Sequence, residues 1–113
     1  MNDMNGTFQY KGKDYKIVFN LNVMEKIQEA YGSVDAWADM TAGAEPNAKA
    51  VIFGITEMIN EGIDIDNEER DIKEPFLTTK QVGRMITEIG MREMHQKMQK
   101  TIVDSTQSAE KNE

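Results

Sequence analysis

Cysteine is absent from this 113-residue sequence, and histidine occurs once, at His95. Without cysteine there is no disulfide, thiol nucleophile or thiolate metal site, and such a composition is typical of a reducing compartment. We therefore expect a cytoplasmic protein. A single histidine lacks the partners that a catalytic histidine pair or a histidine metal site requires. We interpret His95 as an exposed residue on a helix surface.

Positive charge and long apolar runs are also scarce. Lys and Arg number 13 against 20 Asp and Glu, which gives a net charge of -7 and a pI near 4.7. This charge repels phosphate backbones, so we expect no nucleic-acid partner. The most apolar stretch, residues 48–59, is well short of the roughly 20 residues that span a bilayer. Residues 1–10 lack the basic start and apolar core of a signal peptide. We expect neither secretion nor a membrane partner.

Recognisable catalytic motifs are missing as well. The sequence has no Gly-rich phosphate loop, no Gly-x-Ser-x-Gly elbow and no His-Glu-x-x-His. Asp64, Asp66 and Glu68 alternate like the start of a calcium loop, but Glu69 replaces the required Gly and Pro75 replaces the final Glu. We interpret this segment as a solvated acidic loop. The expected protein is not an enzyme and has no catalytic residues, cofactor or metal.

The apolar residues that are present follow two periodicities. Residues 8–19 alternate aromatic and polar side chains around Gly12, which predicts a β-hairpin. Helical spacing then predicts about four helices, at residues 23–31, 34–40, 46–62 and from 79 to about 103. The expected fold is α+β and mainly helical, with the hairpin before the helices. Residues 1–7 are expected to be flexible, residues 8–103 to form one domain, and residues 104–113 to be a disordered tail.

Caps and stops define these helix boundaries. The first helix can be capped by Asn20 or Asn22, and Glu25 completes a capping-box pattern with Asn22. Gly32 and Gly62 are interpreted as stops of the first and third helices. Further signals are Ser33 as cap of the second helix, Pro46 in the first turn of the third, the Thr78–Gln81 capping box of the fourth, and a mobile charged loop at residues 64–75.

Four apolar residues form a stripe along the C-terminal half of the fourth helix. Met91, Met94, Met98 and Ile102 recur at spacings of three, four and four. Core packing is one interpretation. Because residues 8–89 already offer a core and Met is frequent on adaptable binding surfaces, a partner-binding surface is another. A homodimer seam is the third. We keep the four residues as candidate partner-binding residues.

One sequence pattern carries a family resemblance. Residues 15–22 (Tyr-Lys-Ile-Val-Phe-Asn-Leu-Asn) lead into a helix that closes with residues 29–33 (Glu-Ala-Tyr-Gly-Ser). The apolar segment at residues 48–62 follows, and residues 77–83 (Leu-Thr-Thr-Lys-Gln-Val-Gly) open the last helix. Over residues 8–90 the chain resembles the tail assembly chaperones of long-tailed bacteriophages and prophages.

That resemblance implies a function in the cytoplasm of a bacterial host. It implies a non-catalytic protein that binds the tape measure protein, with tail tube subunits as second candidates, and keeps it soluble until the tube polymerises. The family has no fixed active-site residues to carry over. The family also often makes a longer product by a minus-one ribosomal frameshift. Residues 110–112 can be encoded by a slippery heptamer, and so can residues 11–13 and 20–22. Only the site at residues 110–112 leaves the whole domain translated, so we prefer that site.

The alternative function is that of a small DNA-binding regulator. Short helices joined by Gly-containing turns can form a helix-turn-helix. The candidate recognition helix, residues 79–89, carries Lys80 and Arg84 but also Glu88, and no basic stripe accompanies it. The charge of the chain therefore favours the assembly chaperone.

Overall fold

A computed structural model describes residues 6–111, with side chains described as far as residue 106. The α+β architecture predicted from the sequence is confirmed, with a hairpin followed by five helices in this part of the chain. The strands are β1 (Gly6–Tyr10) and β2 (Lys13–Ile17), and the helices are α1 (Leu21–Tyr31), α2 (Val34–Thr41), α3 (Ala48–Arg70), α4 (Thr79–Ile89) and α5 (Met91–Lys111).

The predicted hairpin forms around a two-residue turn. Lys11 and Gly12 both have positive φ, 52° and 77°, as tight hairpin turns require. The strands pair antiparallel with Phe8 opposite Tyr15, whose rings stack with centroids 5.4 Å apart. β1 begins at Gly6, so residues 6 and 7, the last two of the segment predicted to be flexible, belong to a strand. Residues 1–5 lie outside the described part.

Of the two candidate caps of α1, Asn20 is the one used. Its side chain accepts a hydrogen bond from the Val23 N–H at 3.2 Å. Asn22 lies inside the first turn, and its amide donates to Glu61 instead, so the capping box of Asn22 with Glu25 is wrong. The helix ends at Gly32, whose φ of 92° suits glycine.

The caps of α2 and α4 are confirmed. Ser33 accepts from the Ala36 N–H at 2.9 Å. Thr78 and Gln81 bond reciprocally, at 3.1 Å and 2.8 Å, which satisfies two free N–H groups at the start of α4. For α3, however, Asn47 is the N-cap and accepts from the Ala50 N–H, so Pro46 precedes the helix rather than lying in its first turn.

Gly62 does not end α3. It is buried against β2, where a Cβ at this position would lie 2.8 Å from the Lys16 carbonyl oxygen. The glycine therefore permits close approach of helix and strand. Because Ile63 is also buried, the helix continues to Arg70 and ends at Asp71. The mobile charged loop predicted at residues 64–75 is thus wrong for residues 64–70, which are helical.

Gly90 divides the long fourth helix that the sequence predicted. Its φ is 120°, and its N–H donates to the Ile86 carbonyl, so α4 ends and α5 begins at Met91. At the other end, helix occupies positions 104–111, where a disordered tail was predicted. Ser105 Oγ donates to the Phe19 carbonyl at 2.8 Å and holds this end on the body of the protein. Residues 112 and 113 lie outside the described part.

One hydrophobic core joins the hairpin to all five helices. α3 lies at its centre, in contact with β2, α1, α2 and α4. The Trp37 indole of α2 is buried beside Gly54, and its N–H donates to the Ala50 carbonyl at 2.9 Å. No helix within residues 6–111 combines the length and apolar character needed to cross a bilayer.

Candidate partner-binding surface

The methionine stripe lies largely in the core. Met94 and Met98 are fully buried, and Met91 and Ile102 are half-buried against the same cluster. The break at Gly90 separates α5 from α4, and α5 packs on both α4 and β1 with the stripe turned toward the core. The core-packing interpretation is therefore correct for Met94 and Met98, and a free surface at these two residues is wrong. Partner binding by Met91 and Ile102 stays a prediction.

His95 is half-buried rather than exposed. Its Nε2 lies 2.6 Å from the Thr41 carbonyl oxygen at the end of α2. A carbonyl can only accept, so Nε2 carries the proton and donates. The histidine thus links α5 to α2, which sequence periodicity along one helix does not reveal.

The acidic segment is helical and does not form a cation loop. Asp66 pairs with Lys16 of β2, with Nζ and the carboxylate oxygen 2.9 Å apart. Asp64 lies exposed on α3, one turn after Asn60. Among the described residues, no three His, Cys, Asp or Glu side chains come together in a way that could hold a metal ion.

The candidate surface is an open groove between α1, α3 and the segment that joins α3 to α4. The groove has a volume of about 280 Å³. Phe76 forms one wall and is 57% exposed. Such exposure is unusual for a phenylalanine, because its ring gains free energy when it leaves water. The other lining residues are Asn22, Val23 and Lys26 of α1 and Glu57, Asn60, Glu61 and Asp64 of α3.

Two asparagines of α3 hold the Phe76 segment in place. The Asn60 amide bonds both backbone groups of Leu77, each at 2.9 Å. The Asn67 amide bonds both backbone groups of Glu74, at 2.9 Å and 3.0 Å. Each side-chain amide therefore satisfies the backbone N–H and C=O groups of one residue, as a neighbouring β-strand would. Phe76 lies between these two anchors, so its backbone position is fixed although its ring is exposed.

The groove is negatively charged. Glu61 is oriented by two amides, since its Oε2 accepts from Asn20 Nδ2 at 2.8 Å and from Asn22 Nδ2 at 3.1 Å. Ion pairs in the described part of the chain involve other carboxylates. Among the described residues the groove therefore presents three carboxylates that form no ion pair, and one lysine. These are Glu57, Glu61 and Asp64, with Lys26 opposite.

Sequence reasoning missed Phe76 and its two anchors. Phe76 follows Pro75 in a segment without periodicity. It lies between the predicted loop and the predicted fourth helix, so no predicted element includes it. Asn60 and Asn67 are seven residues apart, which is two helical turns, so they share a face of α3. Because the sequence predicts that the third helix ends at Gly62, Asn67 falls outside that predicted helix. The shared face of the two asparagines is therefore not visible in the sequence.

Comparisons with protein-family models, curated proteins and solved structures found no match for this chain. The geometry of the groove and the sequence resemblance are therefore the grounds for a functional proposal.

Proposed function

We propose that the protein is a non-catalytic tail assembly chaperone of a long-tailed phage or prophage. It binds the tape measure protein, and secondarily tail tube subunits, in the cytoplasm of the bacterial host. One observation supports this most directly: three of the four segments that carry the resemblance (residues 15–22, 48–62 and 77–83) meet at the Phe76 groove. Residues 15–22 end at Asn22, which lines the groove, and residues 77–83 begin at Leu77, which Asn60 anchors beside it.

The physical properties of the surface suit such a role. A tape measure protein is expected to expose long apolar helical stretches before the tube covers them, and an exposed aromatic ring on an anchored backbone offers them a contact. The net charge of -7 opposes self-association of the complex. Affinity need only be moderate, because tube subunits must displace the chaperone.

Coexpression tests the proposal. If a long coiled-coil-rich reading frame lies immediately downstream of the gene, its product is the candidate tape measure protein and is expressed with an affinity tag, with and without this chain. Metabolic genes in that place would count against the proposal. We expect this chain to copurify and to raise the soluble fraction of the tagged protein. An equally insoluble tagged protein with no copurification would contradict the proposal. Retention on a heparin column that weakens with salt would favour the DNA-binding alternative instead.

A further inference from the structure

We infer that the Phe76 groove docks a basic amphipathic helix of the partner protein. Apolar side chains of that helix cover the Phe76 ring, and its lysines or arginines pair with the α3 carboxylates. The identity of the partner rests on the proposed function. The chemistry of the docked segment rests on the groove itself.

Phe76 has the properties of an anchor residue. Its ring is 57% exposed, while the neighbouring backbone at Glu74 and Leu77 is held by four hydrogen bonds from Asn60 and Asn67. A binding residue that is already ordered loses little conformational entropy on association. Large aromatic side chains also dominate the energetics of many interfaces. Contact with this ring therefore contributes free energy at a low ordering cost.

The carboxylates determine the charge of the partner. Glu57, Glu61 and Asp64 lie at positions i, i+4 and i+7, so they follow one face of α3 over roughly 10 Å. A partner helix with cationic residues at the same spacing can oppose all three. An acidic helix would be repelled at every one of these positions. Arginine or lysine near Phe76 can in addition lie over the aromatic face.

The direct test uses the full chain and two synthetic peptides. Both are amphipathic helices with the same leucine face, and the polar face carries lysine in one and glutamate in the other. We expect the lysine peptide to shift amide resonances of residues 22–26, 57–64, 74 and 76–78. The glutamate peptide should leave them unchanged.

Variants separate the groove from general attraction between opposite charges. Phe76→Ala and the double variant Glu57→Gln/Asp64→Asn should each weaken binding of the lysine peptide at least about tenfold. Met40→Ala removes another exposed apolar side chain, and Asp35→Asn/Asp39→Asn removes the same charge from α2. These controls should stay within about twofold of the wild type. Circular dichroism of each variant verifies that the fold is retained.

Several results would overturn the inference. Equal binding of both peptides, or equal weakening by the α2 and groove charge variants, would show that no specific site exists. Coexpression distinguishes this failure from failure of the proposed function. If the tape measure protein copurifies equally with wild type and Phe76→Ala, the function holds and the groove assignment is wrong. If the lysine peptide binds in the groove but the tape measure protein does not copurify, the groove stands and the function is wrong.

Discussion

Two apolar regions of the molecule differ in their exposure to solvent. Met94 and Met98 belong to a periodic stripe and are fully buried, whereas Phe76 belongs to no periodic pattern and is 57% exposed. Helical periodicity marks the face that a helix buries. It carries no information about an exposed aromatic residue whose neighbouring backbone is held by side-chain hydrogen bonds. The comparison teaches that the better candidate for binding is the exposed ring on an anchored backbone, not the stripe.

The largest expected effect comes from placing carboxylates in the buried region and comparing the cost with a carboxylate at the exposed one. Met94→Asp/Met98→Asp places two carboxylates in the core and should cost more than about 5 kcal/mol, close to the whole stability of a small domain. Phe76→Asp should change the free energy of unfolding by less than about 1 kcal/mol, because its ring is mostly solvated. Urea denaturation followed by circular dichroism measures both. A methionine variant that unfolds like the wild type would break the comparison and place the stripe on the surface.

The next effect tests whether Gly62 of α3 lies against β2. Gly62→Ala places a Cβ 2.8 Å from the Lys16 carbonyl oxygen and should destabilise the protein by about 1–3 kcal/mol. Gly83→Ala is the matched control, because its Cβ would lie 3.5 Å from Ile52 Cδ1, an ordinary contact. The control should stabilise α4 by about 0.5–1 kcal/mol. If both variants stabilised the protein, Gly62 would not lie against β2.

An effect of similar size is expected from releasing the Phe76 segment. Asn60→Ala removes both hydrogen bonds to Leu77 and should cost about 1–3 kcal/mol. Asn22→Ala removes one hydrogen bond of an exposed amide and should cost less than about 1 kcal/mol. Hydrogen exchange of the Leu77 amide should quicken in the first variant and not in the second. Unchanged exchange in Asn60→Ala would show that this anchor does not order Phe76.

The smallest effect concerns Tyr10. Its burial is intermediate between that of Met94 and Met98, which are fully buried, and that of Phe76, which is exposed. Partial burial and the nearby Glu88 carboxylate raise the pKa of Tyr10 above its ordinary value of about 10. The neutral phenol is favoured in the folded state, so its contribution to stability is complete below that ordinary value. It is lost as pH rises through the higher pKa of the folded protein. Glu88→Gln should lower this pKa in an absorbance titration at alkaline pH, with Tyr10→Phe identifying the signal. An unchanged titration would separate Tyr10 from Glu88.

Local signals explain which elements could be predicted. The turn at Lys11 and Gly12 and the caps Asn20, Ser33 and Thr78 act through hydrogen bonds or dihedral angles within a few residues. Such signals lie in the sequence next to the structure they produce. The hairpin, the order of the helices and most helix starts were therefore accessible without coordinates.

Glycine shows where the local signals became ambiguous. Gly32 ends a helix, Gly62 allows β2 to approach α3, and Gly90 separates α4 from α5. The same residue type serves all three purposes, since each depends only on a missing Cβ. Which purpose applies depends on what packs nearby. One stop was consequently expected where α3 continues, and one break was missed.

The sequence by itself determined the class of fold, the hairpin, the caps of α2 and α4 and an acidic charge that disfavours nucleic acid. Only the tertiary structure decided the burial of Met94 and Met98 and the fixed exposure of Phe76. The stripe is buried because α5 turns at Gly90 and packs against the common core, in contact with α4 and with β1, which is far from it in the chain. Phe76 is fixed because Asn60 and Asn67 reach backbone groups 17 and 7 residues away. Contacts of this range depend on how the elements pack, and no local pattern encodes them.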